Sequence, residues 1–341
     1  MRIPVVLLAA VVLVGPARAE SPDAVKSAVE KGLRRLEEGA ANYTKNRQCF
    51  SCHHQAVPMA AFASARRHGF TVDEEEIQHQ IEFTINTFRP DREKIAKGQG
   101  VGGTTTSAGY ALFTLEMGGS PPDDDSAALV EYLLTKQRTD GSWPVQSNRP
   151  PMQAGDFTPT YLALRALKAY GPAEDAKDAD ELRRRVDAAY EKGRQWMISA
   201  KAKTTEDETM RLRALVFVRA DQDVIDAARD ALCKEQREDG GWAQQPDRAS
   251  DAYAAGTALT ALSLAGVKPE EEVYQRGVQY LLKTQRDDGG WVVETHSPPV
   301  QRFFDNGDPG GKSQFISFSA TAWAVMALLE ASPPPDARKR Q

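Results

Sequence analysis

Apolar residues recur at three- and four-residue spacing along Ala127 to Lys136, Val224 to Glu235 and Val273 to Thr284, the period of an amphipathic helix. Each run stops at Asp-Gly or Asp-Gly-Gly, which ends a helix and turns the chain. Asp73–Phe88 and Asp180–Ile198 carry the same apolar stripe beside a heavily charged face. A second kind of segment alternates with these. Ala56–His68, Thr106–Met117, Thr158–Tyr170, Glu206–Arg219, Ala252–Ala265 and Ile316–Glu330 are rich in Ala and Leu and poor in charge, as buried helices are. The pattern predicts an all-α chain, an α/α toroid of about six helix hairpins with polar outer helices around apolar inner ones, over residues 20–331. An open superhelical array competes with it, and chain length does not separate the two.

Three turns share one motif, Q-x3-G-x-W: Gln137 with Gly141 and Trp143, Gln236 with Gly240 and Trp242, Gln285 with Gly289 and Trp291. Weaker echoes stand at Gln48, Gln99 and Gln195. From Gln48 to Gln285 the six marks span 237 residues in five steps, close to 47 per step, a period of stacked helix pairs. In each mark the Gln amide is suited to satisfy free backbone groups at a helix end and the Trp ring to cover the turn, so both read as structural.

Composition narrows the class. With 341 residues, 41% hydrophobic and 27% charged, the chain is neither disordered nor collagen-like, and its mean hydropathy of −0.51 excludes a bundle of membrane spans. Arg2, the apolar run Val5 to Val14, the break at Gly15-Pro16 and the small-x-small site Ala17-Arg18-Ala19 read as a cleaved signal peptide over 1–19. The run Ile3 to Val14 is too short for a spanning helix, which needs about 20 residues. Export to a periplasmic or extracellular location follows, with no transmembrane span after cleavage. Removing 1–19 takes two arginines away and leaves 41 basic against 48 acidic residues, a net charge of −7 that argues against nucleic acid. Residues 332–341 read as a Pro-rich basic tail.

The marks, the Ala-rich stretch Asp251-Ala-Tyr-Ala-Ala-Gly-Thr-Ala-Leu and the final Ser319-Ala-Thr-Ala-Trp-Ala-Val-Met-Ala-Leu328 resemble the squalene cyclase and prenyltransferase repeat family over nearly all of the mature chain. The resemblance implies the toroid, structural Gln and Trp in the marks, and an apolar or isoprenoid-like small molecule as ligand. The family's catalytic motifs do not carry over. Asp123-Asp124-Asp125 follows Pro121-Pro122 and reads as a capped helix start rather than the cyclases' D-x-D-D or the magnesium-binding D-D-x-x-D. Cys233 lacks the preceding D-x of the transferases' zinc site, and the only later histidine is His296.

One departure from the repeat carries chemistry of its own. Cys49-Phe-Ser-Cys52-His53-His54 stands where the first mark belongs, with Cys52 at the Gly and His54 at the Trp position. C-x-x-C-H in an exported chain reads as covalent haem c attachment through Cys49 and Cys52, with His53 as the iron ligand. A disulfide, a zinc site using Cys49, Cys52, His53 and His54, and inert packing compete with it. Met59, on the same helix as His53, does not reach the opposite haem face. His68, His79 and His296 are candidates for it, and a five-coordinate iron is equally compatible.

Connections from outer to inner helices share one rim, and two are long: Gly141 to Phe157, and Gly289 to Gln314 with Phe303, Phe304 and Asp305. The second is expected to turn at least one ring over the cavity mouth and to aim Asp305 at the Cys49–His54 segment. Asp156, Asp207 and Asp251 stand where inner helices begin, as N-caps or as a divergent acid site. Three functions stay open: an exported ligand-binding toroid with haem c or a metal and a possible redox partner, an isoprenoid cyclase or prenyltransferase-like enzyme, and a noncatalytic binder of apolar molecules.

Overall fold

The computed structural model describes residues 21–173, 179–298, 303, 305, 308 and 310–332. The segment read as a signal peptide (1–19), the tail beyond Ser332, and Phe304 lie outside the described residues. The helices are α1 (Pro22–Asn46), α2 (Val57–Arg67), α3 (Glu74–Phe88), a short α4 (Arg92–Ala96), α5 (Thr104–Gly118), α6 (Asp124–Lys136) and α7 (Phe157–Tyr170). They continue with α8 (Asp180–Ser199), α9 (Thr205–Phe217), α10 (Gln222–Lys234), α11 (Ala252–Leu264), α12 (Glu272–Thr284) and α13 (Gln314–Glu330). No strand is formed among the described residues.

Six of these helices form an inner ring. α2 packs on α5, α5 on α7, α7 on α9, α9 on α11, α11 on α13, and α13 returns to α2, so the array closes into an α/α toroid and is not an open superhelix. The outer helices α1, α6, α8, α10 and α12 each touch two inner neighbours, and α3 packs on α5. Composition explains the two layers. Every residue from Ala252 to Leu262 in α11 is buried, whereas α10 buries only Ile225 and Leu232. Small side chains on the inner helices let backbones approach: a Cβ on Gly256 would stand 2.7 Å from the Trp323 carbonyl carbon.

The three full marks are joints between outer helices. Gln137 Nε2 donates to the Gly141 oxygen of its own turn and to the Ala189 oxygen in α8, at 2.9 and 2.8 Å. Gln236 makes the same pair with Gly240 and Val273 in α12, and Gln285 with Gly289 and Ala28 in α1. The indole N–H groups of Trp143, Trp242 and Trp291 donate to the oxygens of Leu133, Leu232 and Leu281, carbonyls of the last helical turn. Asp140, Asp239 and Asp288 each accept from the backbone N–H two residues on, which shapes the turn.

The receiving helix carries a matching half-motif that the marks do not reveal. Ala28, Lys31 and Gly32 in α1, Ala189, Lys192 and Gly193 in α8, and Val273, Arg276 and Gly277 in α12 share one spacing. The first residue accepts from the Gln, and the carbonyl of the second lies against the mark's glycine. The third lets the helix settle on the core: a Cβ on Gly32 would stand 2.4 Å from Val325 Cγ2. Gln195, by contrast, is no mark. It lies within α8, and its amide donates to Glu191 one helical turn earlier.

Candidate functional site

Outer-to-inner connections gather at the rim where inner helices begin, and α2 begins there in a distinct way. A π-helical turn, Cys52–Ala56, precedes it. Ser51 N–H donates to Gln55 Oε1 at 2.8 Å while Gln55 N–H donates to the Ser51 oxygen at 3.0 Å. Gln55 Nε2 then reaches Gln80 Oε1 on α3 at 3.0 Å. The turn is thus locked on both sides, and single π-turns of this kind recur at functional sites.

The thiol in this turn, Cys52, and the one just before it, Cys49, are both free. Cys49 is exposed, 3.4 Å from the Tyr43 hydroxyl, and Cys52 is buried, 3.4 Å from His53 Nδ1. Burial pushes the Cys52 thiol up to about 12, although nearby Arg149 opposes the shift. Burial, reinforced by His54 and Arg149, lowers His53 to about 3, so its imidazole stays neutral. His53 Nε2 has no hydrogen-bond partner among the described residues.

His54 is committed to packing. Its ring is stacked between Tyr43 and Phe318, with centroids 4.7 and 4.3 Å away, and its Nε2 lies 2.8 Å from Asp308 Oδ2. The other Asp308 oxygen accepts from Arg35 Nη2 on α1 at 2.6 Å. Burial lowers the His54 pKa against the opposing pull of Asp308. Asp308 is thus an acid that the long loop brings to this segment; Asp305 is exposed and Phe303 is 44% exposed. Among the described residues no three His, Cys, Asp or Glu side chains stand close enough to hold a metal ion. None of the histidines considered for the far side of an iron is brought to His53. His68 caps the opposite end of α2, His79 is exposed on α3, and His296 is bonded to Gln244 at 2.8 Å.

The rim loops are stitched to one another. Thr105 donates to the Pro144 oxygen, and Thr205 donates to the Ala243 oxygen at 2.6 Å. Met152, buried in the first long loop, crosses to α13, where Ser319 Oγ donates to its sulfur at 3.5 Å. The three expected acids take structural parts here. Asp251 caps α11 through Ala254 N–H at 3.0 Å, and Asp207 accepts from Lys203 N–H at 3.1 Å. Asp156 makes no cap and ties Val145 N–H and Arg138 instead.

The acid inside the ring is Glu206, which the sequence presents as part of a capping run. It is 5% exposed and accepts from Thr158 Oγ1 at 3.1 Å and the Tyr253 hydroxyl at 3.0 Å. Burial raises its pKa to about 7 against the lowering effect of both hydrogen bonds. Nothing local marks it, because Glu206 shares the first turn of α9 with Asp207 and Glu208, where acids are ordinary.

Residues 205–339 match the family of squalene-hopene cyclase C-terminal domains. Among solved structures, a variant of the type II terpene cyclase MstE from Scytonema, in complex with the substrate geranylgeranyl dihydroxybenzoate, superposes with a TM-score of 0.59. It has 15% identity, over 92% of this chain and 98% of that one. A protein from Actinoplanes gives 0.52 at 15% identity, over 91% and 100%. A possible member of the GH105 family from Salmonella enterica gives 0.51 at 13%, over 93% and 96%. No match to a curated protein sequence was found. The chain is an α/α toroid, and its residues 205–339 resemble the squalene-hopene cyclase C-terminal domain. No described helix is long and apolar enough to cross a membrane.

Proposed function

We propose that this is an exported, periplasmic or extracellular toroid that holds an apolar, isoprenoid-like molecule within its ring and carries covalent haem c at the rim. Cys49 and Cys52 would hold the haem, and His53 would ligate its iron. The observation that carries the reading is the donor set itself: two free thiols three residues apart, the second opening a locked π-turn and followed at once by an imidazole with an unengaged Nε2. When bound, haem supplies one-electron chemistry or an iron site for a small ligand. The chain's own part is to fix the turn. The Arg35, Asp308 and His54 contacts tie it to α1 and to the long loop, while Phe315 flanks the His53 ring at 5.6 Å. A soluble redox partner follows from a site at the rim rather than at the ring's centre. The isoprenoid-like ligand is supported by the terpene cyclase neighbour, which is complexed with geranylgeranyl dihydroxybenzoate.

Expression with its leader in a host that matures c-type cytochromes tests both halves. The expected product is periplasmic, lacks residues 1–19 and keeps its Soret band after denaturation. Absence of covalent haem overturns the haem assignment, and one zinc per chain in its place turns the site into a metal centre.

A second reading, an isoprenoid cyclase or prenyltransferase-like enzyme, is favoured by one observation. Glu206 is a buried acid held near neutrality inside the ring, bonded to Tyr253 and Thr158. Incubation with linear terpenoids and with prenyl diphosphates should then give a cyclised or transferred product that Glu206→Gln abolishes. Unchanged substrate counts against it.

A further inference from the structure

Arg213 lies seven residues beyond Glu206 on α9, about two turns or roughly 10 Å further along the helix. It is 7% exposed, and its surroundings come from three other inner helices. Its Nη1 donates to Thr260 Oγ1 on α11 at 3.1 Å. Its guanidinium carbon stands 4.8 Å from the ring centroid of Trp323 on α13 and 5.9 Å from that of Tyr161 on α7. Among the described residues no carboxylate pairs with it. Its Nε is buried without a hydrogen-bond partner, and so is Nε1 of Trp323, which is 4% exposed.

This arrangement runs against what burial demands. A guanidinium withdrawn from water is retained where a carboxylate and acceptors compensate it, and buried donors left unpaired are rare in folded proteins. The neighbouring Arg165 follows the rule: Glu116 takes its Nε at 2.9 Å and its Nη2, and the Tyr161 hydroxyl takes Nη1 at 3.1 Å. Glu206 acts on Arg213 only through space: its oxygens accept from Thr158 and Tyr253 at the rim end of the helix, and it makes no hydrogen bond to the guanidinium. One cation without a hydrogen-bonded carboxylate and two unpaired donors, beside aromatic faces, together describe a seat for one acidic head group on an apolar molecule.

We propose that Arg213 and Trp323 bind the carboxylate of a long-chain acid of isoprenoid type, whose apolar part lies within the ring. The carboxylate accepts from Arg213 Nε and from the Trp323 indole N–H and neutralises the guanidinium. A monoanion fits better than a diphosphate, because the second arginine of this layer is already neutralised by Glu116. The inference rests on the reading that the ring holds an apolar molecule, and it names the polar end of that molecule.

Farnesoic acid and farnesol share one skeleton and differ at the head group, so titrating the mature full-length protein with each at pH 8 isolates the seat. A charge-assisted hydrogen bond implies that the acid binds at least about tenfold more tightly than the alcohol. Arg213→Met should remove that preference and leave the farnesol affinity within about twofold. Trp323→Phe, which keeps the ring and loses the donor, should weaken it in part. Arg213→Met should also melt no lower than the parent, since it removes a buried charge that no carboxylate contacts. Equal binding of acid and alcohol by the parent protein, or a preference that survives Arg213→Met, overturns the carboxylate seat while leaving an apolar ligand in place. Binding of neither probe overturns the apolar-ligand reading and the seat with it.

Discussion

The side-chain amide of Gln285 donates to the main-chain oxygen of Ala28 at 2.9 Å across 257 positions of sequence. The same amide holds its own turn through the Gly289 oxygen at 3.0 Å. Gln285→Ala removes both bonds and leaves the Gly289 carbonyl unpaired, at a cost of about 1–3 kcal/mol. Urea denaturation should show a loss of that size, matched by Gln137→Ala at a joint away from the closure. A Gln285→Ala protein as stable as its parent would mean that the closing joint contributes nothing.

Gly289 tests the same joint through the backbone. Its φ of +85° is strained for any side chain, and a Cβ would stand 2.4 Å from the Lys31 carbonyl oxygen. Gly289→Ala should therefore cost more than about 1 kcal/mol, beyond the usual effect of removing a glycine. Gly102→Ala, at a negative-φ position with nothing within 4 Å, is the control and should be nearly neutral.

Glu206 sets a pH dependence of definite sign. Burial raises its folded-state pKa from 4.5 to about 7, so between these values the folded chain binds a proton that the unfolded chain has lost. Its contribution to stability is fully present below pH 4.5 and declines as pH rises through about 7. The span is worth on the order of 3 kcal/mol. Glu206→Gln should flatten this part of the stability profile and raise stability relative to the parent at pH 8. Parallel profiles for the two proteins would show that Glu206 is ionised throughout.

The thiols of Cys49 and Cys52 should differ in reactivity before any group is attached. Cys49 is exposed, whereas Cys52 is buried and its thiol is pushed up to about 12. Maleimide labelling of the folded, unloaded chain at pH 8 should modify Cys49 first, with Cys52 at least about tenfold slower, as mapped by peptide mass. Equal rates would show that the turn opens freely.

The ring was legible because its helices differ in composition: Asp73–Phe88 is expected and Glu74–Phe88 is found, and Ala252–Ala265 becomes Ala252–Leu264. The half-motif at Lys31-Gly32, Lys192-Gly193 and Arg276-Gly277 was hidden, because a glycine within a charged helix has no meaning until its neighbour is placed. Asp308 was hidden for a related reason. Its partner His54 is 254 positions away, and nothing local separates it from Asp305 in the same loop. Glu206 and Asp207 stand side by side in a capping run, and only the helix phase decides that one enters the ring. Arg213 was passed over because an arginine on a helix is ordinarily solvated along a charged face.

A ring of hairpins has no first member. The contact between α12 and α1 uses the same chemistry as that between α10 and α12, so the gap in the covalent chain falls at a joint that noncovalent bonds already hold. Solenoids need polar capping units because their outermost repeats lack a neighbour, and here every hairpin has one on each side. The arrangement also carries a hazard. If the seam opens, the freed Gln285 amide and Ala28 carbonyl match those of any other opened copy, and two chains can satisfy each other's joints by exchange.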